Sequence, residues 1–184
     1  MSSIPNNLAI VCIALLLLGA PGLATAAKPS SGPPGPPSPP GPPDLHLNST
    51  ELNFGAVRPG GAVTSEPITG TVIFPGRAGR IAILLPPDTE QICLVHEKYP
   101  DITIPLSWQL RLFDGVGWSE WQPPEPGHLP GSGNNALLWD IPGLAPGLYD
   151  LELRAHIETP RLQRAGHYET NVQIKLVAAY IEPP

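Results

Sequence analysis

Hydrophobic and polar residues alternate with a period of two along most of the chain after residue 44. This period places one face of a β-strand against a core and the other in water. The clearest case is Tyr149–Ile157, and the pattern returns at Trp108–Leu112 and Tyr168–Tyr180. No segment of this region has the period of 3.6 that an amphipathic helix shows. We expect the apolar side chains of these strands to face the core, among them Leu110, Leu151, Leu153, Val172 and Ile174.

Shorter apolar segments predict further strands, separated by turn formers such as Pro59-Gly60-Gly61 and Pro142-Gly143. About eight short strands joined by such turns are typical of a β-sandwich. The sequence therefore predicts an all-β protein with an immunoglobulin-like antiparallel β-sandwich at residues 44–184. The additional predicted strands are Leu45–Phe54, Ile68–Phe74, Arg80–Leu85, Gln91–His96 and Ala136–Ile141.

The N-terminus carries the longest uninterrupted apolar run of the chain, Leu8–Ala20, followed by Ala24-Thr25-Ala26. An apolar run of this length followed by small residues is typical of a secretory signal peptide. The run is too short to cross a bilayer as a helix. We expect residues 1–26 to be removed after Ala26, which leaves a secreted, periplasmic or cell-surface protein without a transmembrane anchor. A buried core helix is the alternative interpretation.

Residues 27–43 are rich in proline and glycine, with Pro-Pro pairs separated by single Gly or Ser residues between Gly32 and Pro43. Each proline ring fixes its own φ angle, so this segment favours the extended polyproline II conformation. A dozen such residues reach on the order of 35 to 40 Å. We therefore expect a stiff linker that separates the folded domain from whatever holds the N-terminus.

Composition narrows the possible partners. The net charge is −6 and is spread without runs of like charge, which argues against a nucleic-acid partner. Cys93 is the only cysteine after the expected cleavage, so no intrachain disulfide forms. We expect Cys93 to be a small buried apolar residue, with a free thiol or an intermolecular bridge as alternatives. Asn48-Ser49-Thr50 is a glycosylation sequon, which matters only in a eukaryotic source.

A long irregular stretch, Asp114–Asn135, contains Trp118 and Trp121. A loop of this length is usually functional or disordered, and two tryptophans argue against disorder. In one interpretation the rings fold back over an open end of the sandwich. In the other they form a stacking platform for sugar rings or an anchor for a protein partner. Together with Trp139 they are the candidate binding residues.

No catalytic constellation is recognisable in the sequence. The five histidines are not spaced to share a metal, and no cysteine pair joins them. Ser132 lies between two glycines but lacks the strand, turn and helix of a nucleophile elbow. We therefore expect neither an enzyme, nor a metal site, nor a cofactor. The expected partners are protein subunits or cell-surface components, and possible ligands include glycans.

Two short motifs are familiar. Leu52-Asn53-Phe54-Gly55 enters a Pro59-Gly60 turn, and Ala165-Gly166-His167-Tyr168 precedes the last alternating strand. The first motif resembles the first strand of bacterial fimbrial-type subunits, including the spore-coat-U-like secreted families, and the second motif resembles their last strand. In physical terms Gly55 permits a bend after a buried Phe54, and Gly166 lets the Tyr168 ring turn under the sheet.

The resemblance implies a structural or adhesive surface protein. Assembly by donor-strand exchange in such families needs an N-terminal extension of alternating apolar residues, and residues 33–43 can neither alternate nor donate amide hydrogens. Many of these families also carry a disulfide, which this chain lacks. The sequence thus predicts an exported, non-enzymatic structural or adhesive fimbria-like protein, assembled differently or placed as a tip or accessory subunit. The competing hypothesis is a carbohydrate-binding module that uses Trp118, Trp121 and Trp139.

Overall fold

A computed structural model describes the backbone of residues 12–17, 44–74, 78–129, 134–142 and 146–178. The expected cleavage site after Ala26 and the proline linker at residues 27–43 lie outside these residues. None of the described residues forms a helix long and apolar enough to cross a membrane. The described strands are β1 (Cys12–Leu17), β2 (Asp44–Leu47), β3 (Glu51–Asn53), β4 (Ala62–Thr64), β5 (Ile68–Phe74), β6 (Ala78–Leu84), β7 (Cys93–His96), β8 (Tyr99–Phe113), β9 (Glu125–His128), β10 (Asn135–Pro142), β11 (Gly147–Glu158) and β12 (Tyr168–Ala178).

The strands form two layers. The first layer has the order β2, β5, β11, β8, with β4 beside the C-terminal end of β11. The second has the order β12, β6, β10, β9, with β1 beside β12 and β3 beside β1. Strand β7 pairs with both β8 and β12 and so connects the layers. The pairings are antiparallel apart from β1 with β12, and the expectation of an all-β antiparallel sandwich is confirmed.

The core lies between the inner faces of the two layers. The five residues expected to face inward are all buried, with exposed fractions of 1% to 2% for Leu110, Leu151, Leu153, Val172 and Ile174. Since Ile81 and Ile83 belong to this core, the alternate residue Ala82 lies on the opposite face of β6. There it joins Leu129, Ala136 and Leu138 in a second, smaller cluster on the outer face of the second layer.

The structure divides one predicted strand and adds strands that the periodicity did not predict. The segment Leu45–Phe54 becomes β2, which pairs with β5, and β3, which pairs with β1. The chain bends between them at Asn48 and Thr50, and the Ser49 hydroxyl accepts a hydrogen bond from the Glu51 N–H at 3.1 Å. Strand β9 lies inside the stretch expected to be irregular, because its Pro-Gly content hides any alternation. Strand β4 was too short to be predicted.

The structure also bears on what the sequence predicted for Gly55, Tyr168 and Cys93. Gly55 has a φ of 64° directly after Phe54, which is 5% exposed, so this position has a backbone conformation that favours glycine. Tyr168 is fully buried, as expected for a ring under the sheet. We expected Cys93 to be buried, but it is a half-buried free cysteine.

Candidate functional site

The tryptophan loop, residues 114–124, runs along the C-terminal half of β8. The Ser119 N–H donates to the Leu112 carbonyl at 2.8 Å. Gln122 exchanges two backbone hydrogen bonds with Leu110, of 2.8 and 3.0 Å. The loop therefore acts as a short extra strand on the edge of β8. It lies next to the position where β7 pairs with the N-terminal half of β8. This backbone pairing fixes where its two indole rings lie.

Trp118 and Trp121 stack with two arginines from the outer face of the first layer. The Arg111 guanidinium carbon lies 4.8 Å from the Trp118 ring centroid and 4.6 Å from that of Trp121. The Arg154 guanidinium carbon lies 3.8 Å from the Trp121 centroid. Phe113 extends the series, with its centroid 5.5 Å from that of Trp118. We call this set the tryptophan–arginine stack; each cation–π contact contributes on the order of 0.5 to 1 kcal/mol at a partly exposed site.

Cross-strand neighbours hold both guanidinium groups in place. Arg111 lies opposite Glu152 in the register of β8 and β11, and its Nε donates to the Glu152 carboxylate at 2.7 Å. The Glu152 side chain is only 14% exposed, so solvent screens this ion pair less than it would a fully exposed one. Arg154 lies opposite Gln109 and donates from Nε to its amide oxygen at 2.8 Å.

The structure brings two of the three candidate tryptophans together. Trp118 keeps 41% of its surface exposed at the end of the stack, and Trp121 is half-buried between the loop and the sheet. Trp139 is not part of the stack: it is 2% exposed in the main core, and it contacts the tryptophan loop only from the core side, through an indole N–H donated to the Gln122 carbonyl at 2.8 Å. Arg111 and Arg154 were not among the predicted residues. The alternation places both on the outer face of their strands, where a loop that folds back over this face contacts them.

A cleft of about 500 Å³ opens on the other side of the tryptophan loop. Its walls include Leu112 of β8, Trp118 of the loop and Asp140 of β10. At its rim, the backbone N–H groups of Gly117 and Val116 each donate to the Asp114 carboxylate at 2.9 Å. These hydrogen bonds, that from Gly117 first, lower the pKa of Asp114, because they stabilise its charged form.

His96 is the most buried histidine of the described structure, with 4% exposure. Its ring lies between Tyr99 and Tyr168, with centroids at 5.0 and 4.9 Å. Nδ1 accepts the Lys98 N–H at 3.0 Å, so Nε2 carries the hydrogen that faces the Ala165 carbonyl at 3.3 Å. Both ring nitrogens are therefore occupied by backbone groups, which gives His96 a structural role. The described residues contain no cluster of three or more His, Cys, Asp or Glu suited to a metal ion.

The second notable feature is the strand position between β3 and β12, which we call the acceptor groove. In the structure β1 occupies it, parallel to β12 and antiparallel to β3. Residue 13 of β1 lies opposite Leu52 and Thr170, and residue 15 lies opposite Val172. The apolar run that the sequence identified as a leader is thus also able to serve as a strand of the sandwich, which its composition alone did not indicate.

The walls of the acceptor groove belong to the main core. Leu52 and Phe54 from the β3 side are 1% and 5% exposed, and Val172 and Ile174 from β12 are 1% and 2% exposed. These values refer to the structure with β1 in place. Without a strand between β3 and β12, the two strands lose a hydrogen-bonding neighbour.

Comparison with known proteins adds no relative. The chain matches no protein-family model, and a search of curated proteins found no significant match. The tryptophan–arginine stack and the acceptor groove are the features of the structure that bear on function.

Proposed function

We propose that this chain is an exported, non-enzymatic structural or adhesive surface protein whose sandwich is completed by a β-strand from a partner protein. The observation that carries the proposal is the pairing of β1 with both β3 and β12 in the acceptor groove. The partner strand binds at this position once the leader has been removed.

Removal of residues 1–26 takes β1 out of the groove. The backbone N–H and C=O groups of β3 and β12 that face β1 then lose their partners. Edge strands with free backbone groups and apolar neighbours readily pair with another chain. The buried faces of Leu52 and Val172 add a hydrophobic driving force, of roughly 25 cal/mol for each Å² of apolar surface covered again. The mature domain is therefore built to accept a strand.

The linker is a poor replacement for β1. Residues 33–43 are almost entirely proline and glycine, and proline has no N–H to donate to a sheet. An extended polyproline segment also lacks the apolar residues that make up β1. The strand has to come from another chain, which agrees with the resemblance of the Leu52–Gly55 and Gly166–Tyr168 motifs to fimbrial-type subunits.

A peptide-binding experiment tests the proposal. The mature protein, residues 27–184, is mixed with a synthetic peptide of residues 8–20 carrying a solubilising lysine tail. We expect the peptide to raise the melting temperature of the mature protein and to suppress binding of a hydrophobic dye. Thermal unfolding and dye fluorescence measure the two effects.

Two peptide variants supply the matched control. Leu15→Asp changes the position opposite the buried Val172, whereas Leu16→Asp changes the position opposite the half-buried Gln173. The first peptide should lose most of its effect and the second should keep most of it. If the mature protein unfolds at the temperature of the full chain and responds to no peptide, the acceptor groove has no role and the proposal is wrong.

The 41% exposure of Trp118 favours a second candidate function, saccharide binding at the tryptophan–arginine stack. Only the free surface of Trp118 offers a stacking platform there, since guanidinium groups lie against the ring of Trp121. Quenching of tryptophan fluorescence by a saccharide, abolished in the Trp118→Ala/Trp121→Ala double variant, would support this function. Fluorescence that is unchanged by saccharide would argue against it.

A further inference from the structure

A cleft on the outer face of the second layer has the chemistry of a ligand site. It has a volume of about 590 Å³ and lies where β6, β10 and β12 meet, away from the tryptophan loop. Asn171 and Gln173 alternate with the buried Val172 and Ile174, so they lie on the outer face of β12. Leu84 of β6 lies opposite Gln173 and forms part of the floor. We call this feature the amide cleft.

The polar side chains of the amide cleft have spare hydrogen-bonding capacity. Among the described residues, no hydrogen bond or ion pair engages the side chains of Asp88, Asn171 or Gln173, which all line the cleft. A carboxamide offers donors and acceptors side by side, and a carboxylate offers two acceptor oxygens. A hydroxyl group both donates and accepts, so this set matches a ligand with several neighbouring hydroxyls.

The turn at one wall fixes the backbone that carries the Asp88 carboxylate. Asp88 has a φ of 59°, a conformation that non-glycine residues seldom adopt. Pro86 and Pro87 restrict the chain before it, and Thr89 donates its hydroxyl to the Pro86 carbonyl at 2.8 Å. Backbone strain of this kind costs on the order of 1 to 3 kcal/mol and is concentrated at binding sites. The turn therefore holds the backbone of Asp88 in one conformation at the wall of the cleft.

Charge and apolar surface narrow the class of ligand. Asp88 is the only charged residue of the described lining, so the cleft repels anions. The rings of Pro86 and Pro87 and the side chain of Leu84 supply apolar surface for C–H groups. Alternating hydroxyl and C–H faces on an uncharged molecule are the chemistry of a neutral saccharide. We propose that the amide cleft binds a neutral oligosaccharide through Asp88, Asn171 and Gln173.

The test uses the full chain and three neutral trisaccharides: mannotriose, cellotriose and maltotriose. Calorimetry gives the affinity, and NMR of the asparagine and glutamine side-chain amides locates the site. We expect at least one trisaccharide to bind and to shift the amide signals of Asn171 and Gln173, whereas trigalacturonate, which is anionic, should not bind.

Three variants separate this site from the others. Asn171→Ala/Gln173→Ala should weaken binding by about tenfold or more, since it removes two hydrogen-bonding groups. Asp88→Gly removes the carboxylate where glycine suits the backbone, so it should weaken binding with an equal or higher melting temperature. Asn48→Ala, an exposed amide on the other layer, should leave the affinity unchanged.

Several results would overturn the proposal. The proposal fails if no trisaccharide binds at millimolar concentration, or if binding survives the Asn171→Ala/Gln173→Ala change. It also fails if Trp118→Ala abolishes binding while the cleft variants keep it, because the saccharide site then lies at the tryptophan–arginine stack. The acceptor groove shares β12 with the amide cleft and is tested separately, by peptide binding to the mature protein.

Discussion

Replacing Gly166 with alanine should destabilise the domain through His96. A Cβ built on Gly166 would overlap the His96 imidazole, which is buried between two tyrosines. The ring cannot move without losing its hydrogen bonds to the Lys98 N–H and the Ala165 carbonyl. Each such bond contributes about 1 kcal/mol, and each aromatic contact about 0.5 to 1.5 kcal/mol. Because the ring relaxes in part, we expect a net loss of about 2 to 4 kcal/mol.

A loss of this size should lower the melting temperature by roughly 6 to 12 °C for a domain of this length. Thermal unfolding followed by near-ultraviolet circular dichroism measures it. Gly117→Ala is the matched control, because a Cβ on Gly117 meets nothing within 4 Å, and it should leave the melting temperature nearly unchanged.

The double variant Gly166→Ala/His96→Ala tests the cause. If overlap with the imidazole is responsible, removing the ring relieves it, and the double variant should lose less stability than the two single variants together. A coupling of about 1 kcal/mol or more is expected for groups in direct contact. If Gly166→Ala and Gly117→Ala unfold at the same temperature, the proposed packing of His96 is wrong.

Three further predictions follow from the core, the tryptophan–arginine stack and the loop. Leu153→Ala should cost about 2 to 5 kcal/mol in chemical denaturation, whereas Leu148→Ala, at 65% exposure, should cost about 0.5 kcal/mol or less; similar losses would contradict the strand register. Glu152→Ala should free Arg111 and change the near-ultraviolet signal of the tryptophans, whereas Asp150→Ala, an exposed neighbour, should not. The folded-state pKa of Asp114 lies below its pKa in the unfolded chain. Its hydrogen bonds therefore stabilise the loop above the unfolded-state pKa, and this stabilisation is lost as pH falls through the folded-state value. An NMR titration of the Asp114 carboxyl carbon should show the lowered midpoint.

The alternation of apolar residues was sufficient to predict most of the fold. Strand β5 matches its predicted bounds, and β11 extends Tyr149–Ile157 by two residues at the start and one at the end. Periodicity reports which face of a strand is buried, but not which strand lies beside it. It therefore predicted that Val172 faces the core and gave no indication that β1 pairs with β12. Strand β9 was missed because Pro126 and Gly127 interrupt any alternation.

Only part of the candidate site could be predicted, and the reason is related. The composition of the long loop indicated that Trp118 and Trp121 cover a surface, but the partners of the rings lie far away in sequence. Arg154 reaches Trp121 only because β11 lies beside β8. Trp139 is a tryptophan like Trp118 and Trp121, but its environment is different, because it belongs to a strand whose inner face is buried. The amide cleft joins separate strand ends and has no local sequence signal.

The position of β12 has a consequence for how fast the domain folds. This strand follows in the chain every strand with which it pairs, namely β6, β7 and β1. Contacts between residues so distant in sequence form slowly, because a long loop must close before they stabilise anything. All-β domains dominated by such contacts fold in milliseconds to seconds. Until β12 pairs, β6 and β7 each keep a free edge, so this is the period in which the domain is most prone to pair with other copies of the chain.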